Sequence, residues 1–128
     1  MSTQIPGLYI LETEEKGRAV YTSIDINKGD VIESAPVIIC DSVDTKLIHK
    51  TRLHDYYFTW GEKESAIALG FGSLYNHSEN PNTEFILDYD NLSIDFEALR
   101  DIKAGEEITI NYHSDDETDF KIWFEVVE

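Results

Sequence analysis

A mainly β domain with strongly non-local strand pairing is predicted by three observations. The chain holds many short apolar runs rich in Val, Ile, Tyr and Phe, glycine-bearing polar turns separate them, and only one segment spaces its apolar residues helically. At 128 residues, with 41% hydrophobic and 12% aromatic residues, there is apolar surface for one core and one domain.

Leu8-Tyr9-Ile10-Leu11 opens as a strand, and the polar stretch Glu12 to Gly17 leads to a second over Arg18 to Thr22. Ile24-Asp25-Ile26 and Val31-Ile32-Glu33 flank Asn27-Lys28-Gly29-Asp30, whose glycine suits a tight connection with φ above zero. Pro36 to Cys40 reads as a buried strand with proline at its start. Residues 42 to 54 change character: Ser42 or Asp44 can cap a helix whose apolar face is Leu47, Ile48 and Leu53. Lys46, His49, Lys50, Arg52 and His54 make this the one locally basic segment, read first as a solvated face.

Tyr56 to Trp60 and Ser65 to Leu69 form a predicted hairpin around Gly61-Glu62-Lys63-Glu64. A second hairpin joins Thr83 to Leu87 with Leu92 to Phe96; its Asp88, Asp90 and Asn91 read as turn residues, since the loop lacks the glycine and bidentate glutamate of a calcium hand. Asp101 to Ile108 echoes Asp25 to Ile32, too short a match for a repeat architecture and expected as two similar turns. Ile108 to Tyr112 alternates as a strand. The apolar tail from Phe120 to Glu128 is expected to pack back on the body.

Ten Lys and Arg against twenty-six Asp and Glu give a formal charge of −16. Such a surface repels nucleic acid and either serves solubility or attracts basic polypeptides. No run reaches a membrane span and the first residues lack the features of a signal peptide, so a cytoplasmic protein is expected. Cys40 is the only cysteine, and His49, His54, His77 and His113 have no compact ligand spacing, so no metal site is expected. There is no Gly-x-Ser-x-Gly elbow, no phosphate loop and no His-Glu-x-x-His pair.

The least generic stretch is Gly70 to Asn82. Two glycines permit a bent backbone, Asn76-His77-Ser78 offers adjacent donors and acceptors, and Asn80-Pro81-Asn82 forces an extended or turn conformation. Asn76-His77-Ser78-Glu79-Asn80-Pro81-Asn82 resembles the Asn-His-Ser-Cys-x-Pro-Asn motif of SET-domain protein lysine methyltransferases, with Glu79 at the cysteine position. Gly105-Glu106-Glu107-Ile108-Thr109-Ile110-Asn111-Tyr112 resembles that family's Gly-Glu-Glu-Leu-Thr-x-Asp-Tyr motif, and Lys16 to Val20 stands at its Gly-x-Gly segment. The resemblance spans residues 7 to 112, and the size is similar to short SET-only proteins of viruses and bacteria.

The resemblance implies a β-clip fold of several small sheets with little helix, in which the C-terminal segment threads under a preceding loop in a knot-like arrangement. It implies one SET domain over residues 1–128, with 113–128 as a closing segment that carries no zinc. It implies S-adenosylmethionine on one face, a substrate lysine from the other, and a narrow channel between them. Gly17, Arg18 and Ala19 would meet the methionine part of the cofactor, Asn76 its amino-acid end, and the His77 backbone its adenine. Ala19 departs from the motif's second glycine, and Ser73 stands where many members carry arginine.

Tyr112 matches the active-site tyrosine. A phenol oxygen can orient a neutral lysine amine behind a sulfonium methyl, in an aromatic channel that excludes water. Tyr56 is the second candidate for that lining, or else a packed strand residue. With no cysteine-rich closing segment, Trp123 and Phe124, together with Phe120, are expected to cover the adenine. The expected partner is a basic, lysine-containing, histone-like protein or peptide, without direct contact to nucleic acid or membrane. Should the source be a virus or an intracellular bacterium, delivery to a host nucleus replaces the cytoplasmic expectation. The rival is a non-catalytic SET-like module that binds basic proteins, with a cofactor site degraded at Ala19 and Ser73.

Overall fold

The computed structural model of the chain describes residues 3–14 and 17–112. The predicted closing segment, with Trp123 and Phe124, lies outside the described residues. In order come β1 (Thr3–Gln4), β2 (Leu8–Thr13), β3 (Gly17–Thr22), β4 (Val31–Cys40), α1 (Ser42–His49), a 3-10 turn (Arg52–Asp55), β5 (Tyr57–Trp60), β6 (Glu64–Ala68), β7 (Asn76–His77), β8 (Thr83–Asp88), β9 (Ser93–Ala98) and β10 (Thr109–Ile110).

The sequence expectation splits β4 into two strands, whereas Val31–Cys40 forms a single ten-residue strand. Its first half pairs antiparallel with β9 and its second half with β6, which sets the sheet order β5-β6-β4-β9-β8 with β1 also on β4. Pro36 sits where pairing passes from one partner to the other, a place where a missing amide is tolerated. A bulge between Val31 and Glu33 inserts one extra residue, so the consecutive residues Ile32 and Glu33 are both buried.

The two predicted hairpins form as β5–β6 and β8–β9, and β2–β3 makes a third, separate pair with Gly17 opposite Thr13. A last small sheet is parallel: Thr109 of β10 pairs with Asn76 of β7, and Ile110 with His77. These several small sheets and the short helix are the fold class expected from sequence.

Helix α1 corrects two expectations. Its cap is Asp41, whose side chain accepts from the Asp44 amide at 2.8 Å, rather than Ser42 or Asp44. Its buried face is polar, with Thr45 against Ser65 at 2.7 Å between hydroxyl oxygens, while Leu47 and Leu53 are exposed. Tertiary packing against β6 overrides the weak apolar periodicity.

The two similar turns are paired with each other. Ile26 and Ile102 exchange backbone hydrogen bonds of 2.7 and 2.8 Å, and both side chains are buried in the core. Asp25 accepts from the Ala104 amide and Asp101 from the Lys28 amide, each at 2.9 Å. Gly29 and Gly105 occupy equivalent positions at φ +89° and +95°, where a β-carbon is disfavoured. This reciprocal clasp ties the segment between β3 and β4 to the segment between β9 and β10, and so carries the C-terminal motif to the side of β7.

Candidate active site

Tyr112 follows β10 directly, and its place is fixed from two sides. Its amide donates to His77 Nδ1 at 3.0 Å, and its hydroxyl donates to the Tyr75 carbonyl at 2.9 Å. The His77 and Tyr112 rings lie 5.0 Å apart. Burial, followed by the charge of Asp55, pushes the Tyr112 phenol up from 10.0 to about 12. The hydroxyl therefore stays neutral across the physiological range, with its proton committed to a carbonyl and its lone pairs left as acceptors.

Tyr112 lines a small pocket of about 50 Å³ together with Asp55, Tyr56, Phe58, Ser73 and Tyr75. Tyr56 reaches it as the residue that closes the 3-10 turn before β5, and is 38% exposed. It is thus neither in the strand nor in the core. Two tyrosines 56 residues apart in sequence share one narrow, largely aromatic opening with a carboxylate at its edge.

The second cluster lies where β3 and β7 approach. Asn76 Nδ2 donates to the Arg18 carbonyl at 3.2 Å and to Glu107 Oε2 at 2.9 Å. Gly17 has φ +68° and starts β3, and Ala19 is buried at a regular strand position, so its methyl group is accommodated without a left-handed backbone. The parallel register turns the His77 peptide groups to the edge opposite β10. The structure thus brings Gly17, Arg18, Ala19, Asn76 and His77 to one region and Tyr56 and Tyr112 to another, with Tyr112 touching both through His77. Trp123 and Phe124 are outside the described residues.

Sequence reasoning missed what anchors these groups. Asn82 is buried, donates through Nδ2 to the Glu107 carbonyl at 2.7 Å and accepts from the Thr109 amide at 3.0 Å, riveting the C-terminal motif to the bend. Glu107, named from sequence only as part of its motif, is the partner of Asn76. Ser73 closes the turn after β6 by accepting from the Ala68 amide at 3.1 Å and donating to its carbonyl at 2.9 Å. Most of the Gly70 to Tyr75 loop is organised by Glu33, a 2% exposed carboxylate that no motif marked. It accepts from Tyr75 Oη, the Phe71 amide and Gln4 Nε2. The available signal was a charged residue in a ten-residue strand that carries no other charge.

The family model described as SET domain matches residues 17–113, and the chain belongs to the SET-domain family. A Schizosaccharomyces pombe protein, "Histone-lysine N-methyltransferase, H3 lysine-37 specific", is 34% identical over 119 residues, covering 92% of this chain and 77% of that one. The Mus musculus "Histone-lysine N-methyltransferase NSD3" is 28% identical over 86% of this chain, which spans only 8% of that relative. Among solved structures, a candidate histone methyltransferase of Plasmodium falciparum superposes with a TM-score of 0.69 at 28% identity, over 83% of this chain and 92% of its own.

Proposed function

We propose that this chain is an S-adenosylmethionine-dependent protein-lysine N-methyltransferase acting on a basic, histone-like protein or peptide. The observation that carries the reading is the pocket shared by Tyr56 and Tyr112, in which the Tyr112 hydroxyl spends its proton on the Tyr75 carbonyl. That leaves the phenol oxygen as an acceptor facing the space a lysine side chain would fill. The names of the curated relatives support the same reading.

The groups at the β3–β7 junction fit the amino-acid end of the cofactor: the Asn76 amide, which already meets the Arg18 carbonyl and Glu107, suits an ammonium beside that carboxylate. Gly17, Arg18, Ala19 and Asn76 would hold that end, and the His77 peptide the adenine, with Trp123 and Phe124 proposed as its cover. When bound, S-adenosylmethionine supplies an electrophilic methyl group on a sulfonium, which the lysine Nζ takes up as the thioether leaves.

The chain's own residues do the rest. Tyr112 accepts a hydrogen from the amine and so aims its lone pair, while Tyr56 and Phe58 wall the pocket and limit water. Tyr112 is too weakly acidic to serve as a phenolate base at neutral pH. A free lysine has a pKa of about 10.4; desolvation on entry lowers it, so the ammonium gives its proton to bulk water rather than to an acidic neighbour, and Asp55 is suited to attracting the charged form beforehand.

Transfer of labelled methyl groups to a panel of lysine-bearing basic proteins tests the reading, with Tyr112→Phe beside the wild type. Wild-type transfer is expected, reduced on the order of 10²-fold in kcat by the substitution. Undiminished labelling in the variant would remove Tyr112 from this role. Calorimetry with S-adenosylmethionine separates the non-catalytic module, which would bind basic peptide but no cofactor.

A further inference from the structure

Glu33 stands out as a buried carboxylate whose three donors are all uncharged. Oε1 accepts from the Tyr75 hydroxyl at 2.6 Å; Oε2 accepts from the Phe71 amide and from Gln4 Nε2, both at 3.0 Å. Burying a carboxyl group is costly unless its oxygens are hydrogen-bonded, and among the described residues three neutral donors meet both oxygens of this one. The 2.6 Å contact has the length of a charge-assisted O–H···O⁻ bond. Gly70, at φ +65°, makes room for it, since a β-carbon there would collide with Glu33 Oε2.

The placement of these donors has a consequence for the pocket. Phe71 opens the loop segment that precedes β7 and Tyr75 ends it, so one carboxylate clamps both ends of that segment. Tyr75 is 1% exposed with its ring 4.7 Å from that of Phe96, and burial together with Glu33 holds its phenol far above the usual range, hence always a donor. Its carbonyl is the group that accepts the hydrogen bond from the Tyr112 hydroxyl. The connection runs Glu33 to the Tyr75 hydroxyl, through the Tyr75 residue to its carbonyl, and from there to the Tyr112 hydroxyl.

We propose that Glu33 is a positioning residue of the lysine channel, fixing Tyr75 so that its carbonyl accepts the Tyr112 hydroxyl hydrogen bond and turns the phenol lone pairs toward the substrate amine. This rests on the lysine methyl-transfer reading above. A carboxylate is required because two acceptor oxygens face three donors. A glutamine whose oxygen kept the Phe71 and Gln4 donors would turn its NH2 group on the Tyr75 hydroxyl, which would then have to accept, so the short bond that holds Tyr75 would be reversed and weakened.

The test uses the full chain carrying tyrosine labelled with carbon-13 at Cζ, the Tyr112 signal being assigned from Tyr112→Phe. Tyr75→Phe keeps the ring and removes only the bond to Glu33; Glu33→Gln breaks the clamp from the other side. In both, kcat for a basic peptide is expected to fall about ten- to hundred-fold while KM changes less than about threefold, because orientation rather than binding is lost. The Tyr112 signal is expected to move toward that of a water-exposed tyrosine. An unmoved Tyr112 signal in Tyr75→Phe of native circular dichroism overturns the proposal, whatever the activity. A wild type that transfers no methyl group strikes instead at the functional reading, while the resonance still decides the linkage. Should Glu33→Gln fail to fold, Tyr75→Phe decides alone.

Discussion

At the scale of single residues, Tyr112 shows how burial sets chemistry. Its phenol is raised from 10.0 to about 12, by burial first and then by the charge of Asp55. The neutral form is therefore favoured more in the folded chain than in the unfolded one. That contribution to stability is fully present below about pH 10 and is lost as pH rises from there toward 12. Urea unfolding followed through this range should show wild-type stability declining, and Tyr112→Phe declining less steeply; equal slopes would mean the phenol titrates alike in both states. Tyr57 and Tyr75, also raised by burial, keep some slope in the variant. Asn76 and Tyr112 were legible in the sequence because each belongs to a motif whose residue order is distinctive. Glu33 was not, because the bulge at Val31 to Glu33 breaks the period-two alternation that tells a buried strand position from an exposed one.

At the scale of elements, the hairpins were legible from glycine turns between β-branched and aromatic runs, and the limits of such reading appear where packing decides. Helix α1 buries Thr45 against Ser65 rather than Leu47, and β4 runs through Pro36, which local rules place at a strand end. The Gly70 to Tyr75 loop gives the sharpest case. Its two glycines read from sequence as a bend or a close approach to a ligand, yet they serve different needs. Gly70 yields space to a carboxylate, whereas a β-carbon on Gly72 would stand 2.6 Å from Ala68 Cβ and 3.2 Å from Ala35 Cβ. Gly72→Ala must push the loop off the sheet, and a loss of about 1–3 kcal/mol is expected from overpacking. Because Gly72 also lines the pocket, the loss should come with reduced transfer. Chemical denaturation together with the methyl-transfer assay checks both; a variant as stable as wild type would mean that the loop shifts at no cost.

At the scale of the whole molecule, two features act together. The parallel β7–β10 pair and the reciprocal clasp at Ile26 and Ile102 join segments separated by more than thirty residues, which is why no local pattern foretold the site's assembly. Around that assembly lies a formal charge of −16, which the sequence states outright but whose use it leaves open between solubility and attraction. Asp55 at the pocket edge favours attraction, since it places part of the negative field where a lysine would enter. A field of this kind acts on encounter, not on chemistry, and exposed charges are screened beyond about 8–10 Å at moderate salt. Raising sodium chloride from about 0.05 to 0.5 M should therefore increase KM for a lysine-rich peptide several-fold and leave kcat nearly constant. A peptide with the same target lysine but flanking charges replaced by serine should lose most of that dependence. Equal salt responses for the two peptides would assign the acidic surface to solubility alone and leave recognition to the pocket.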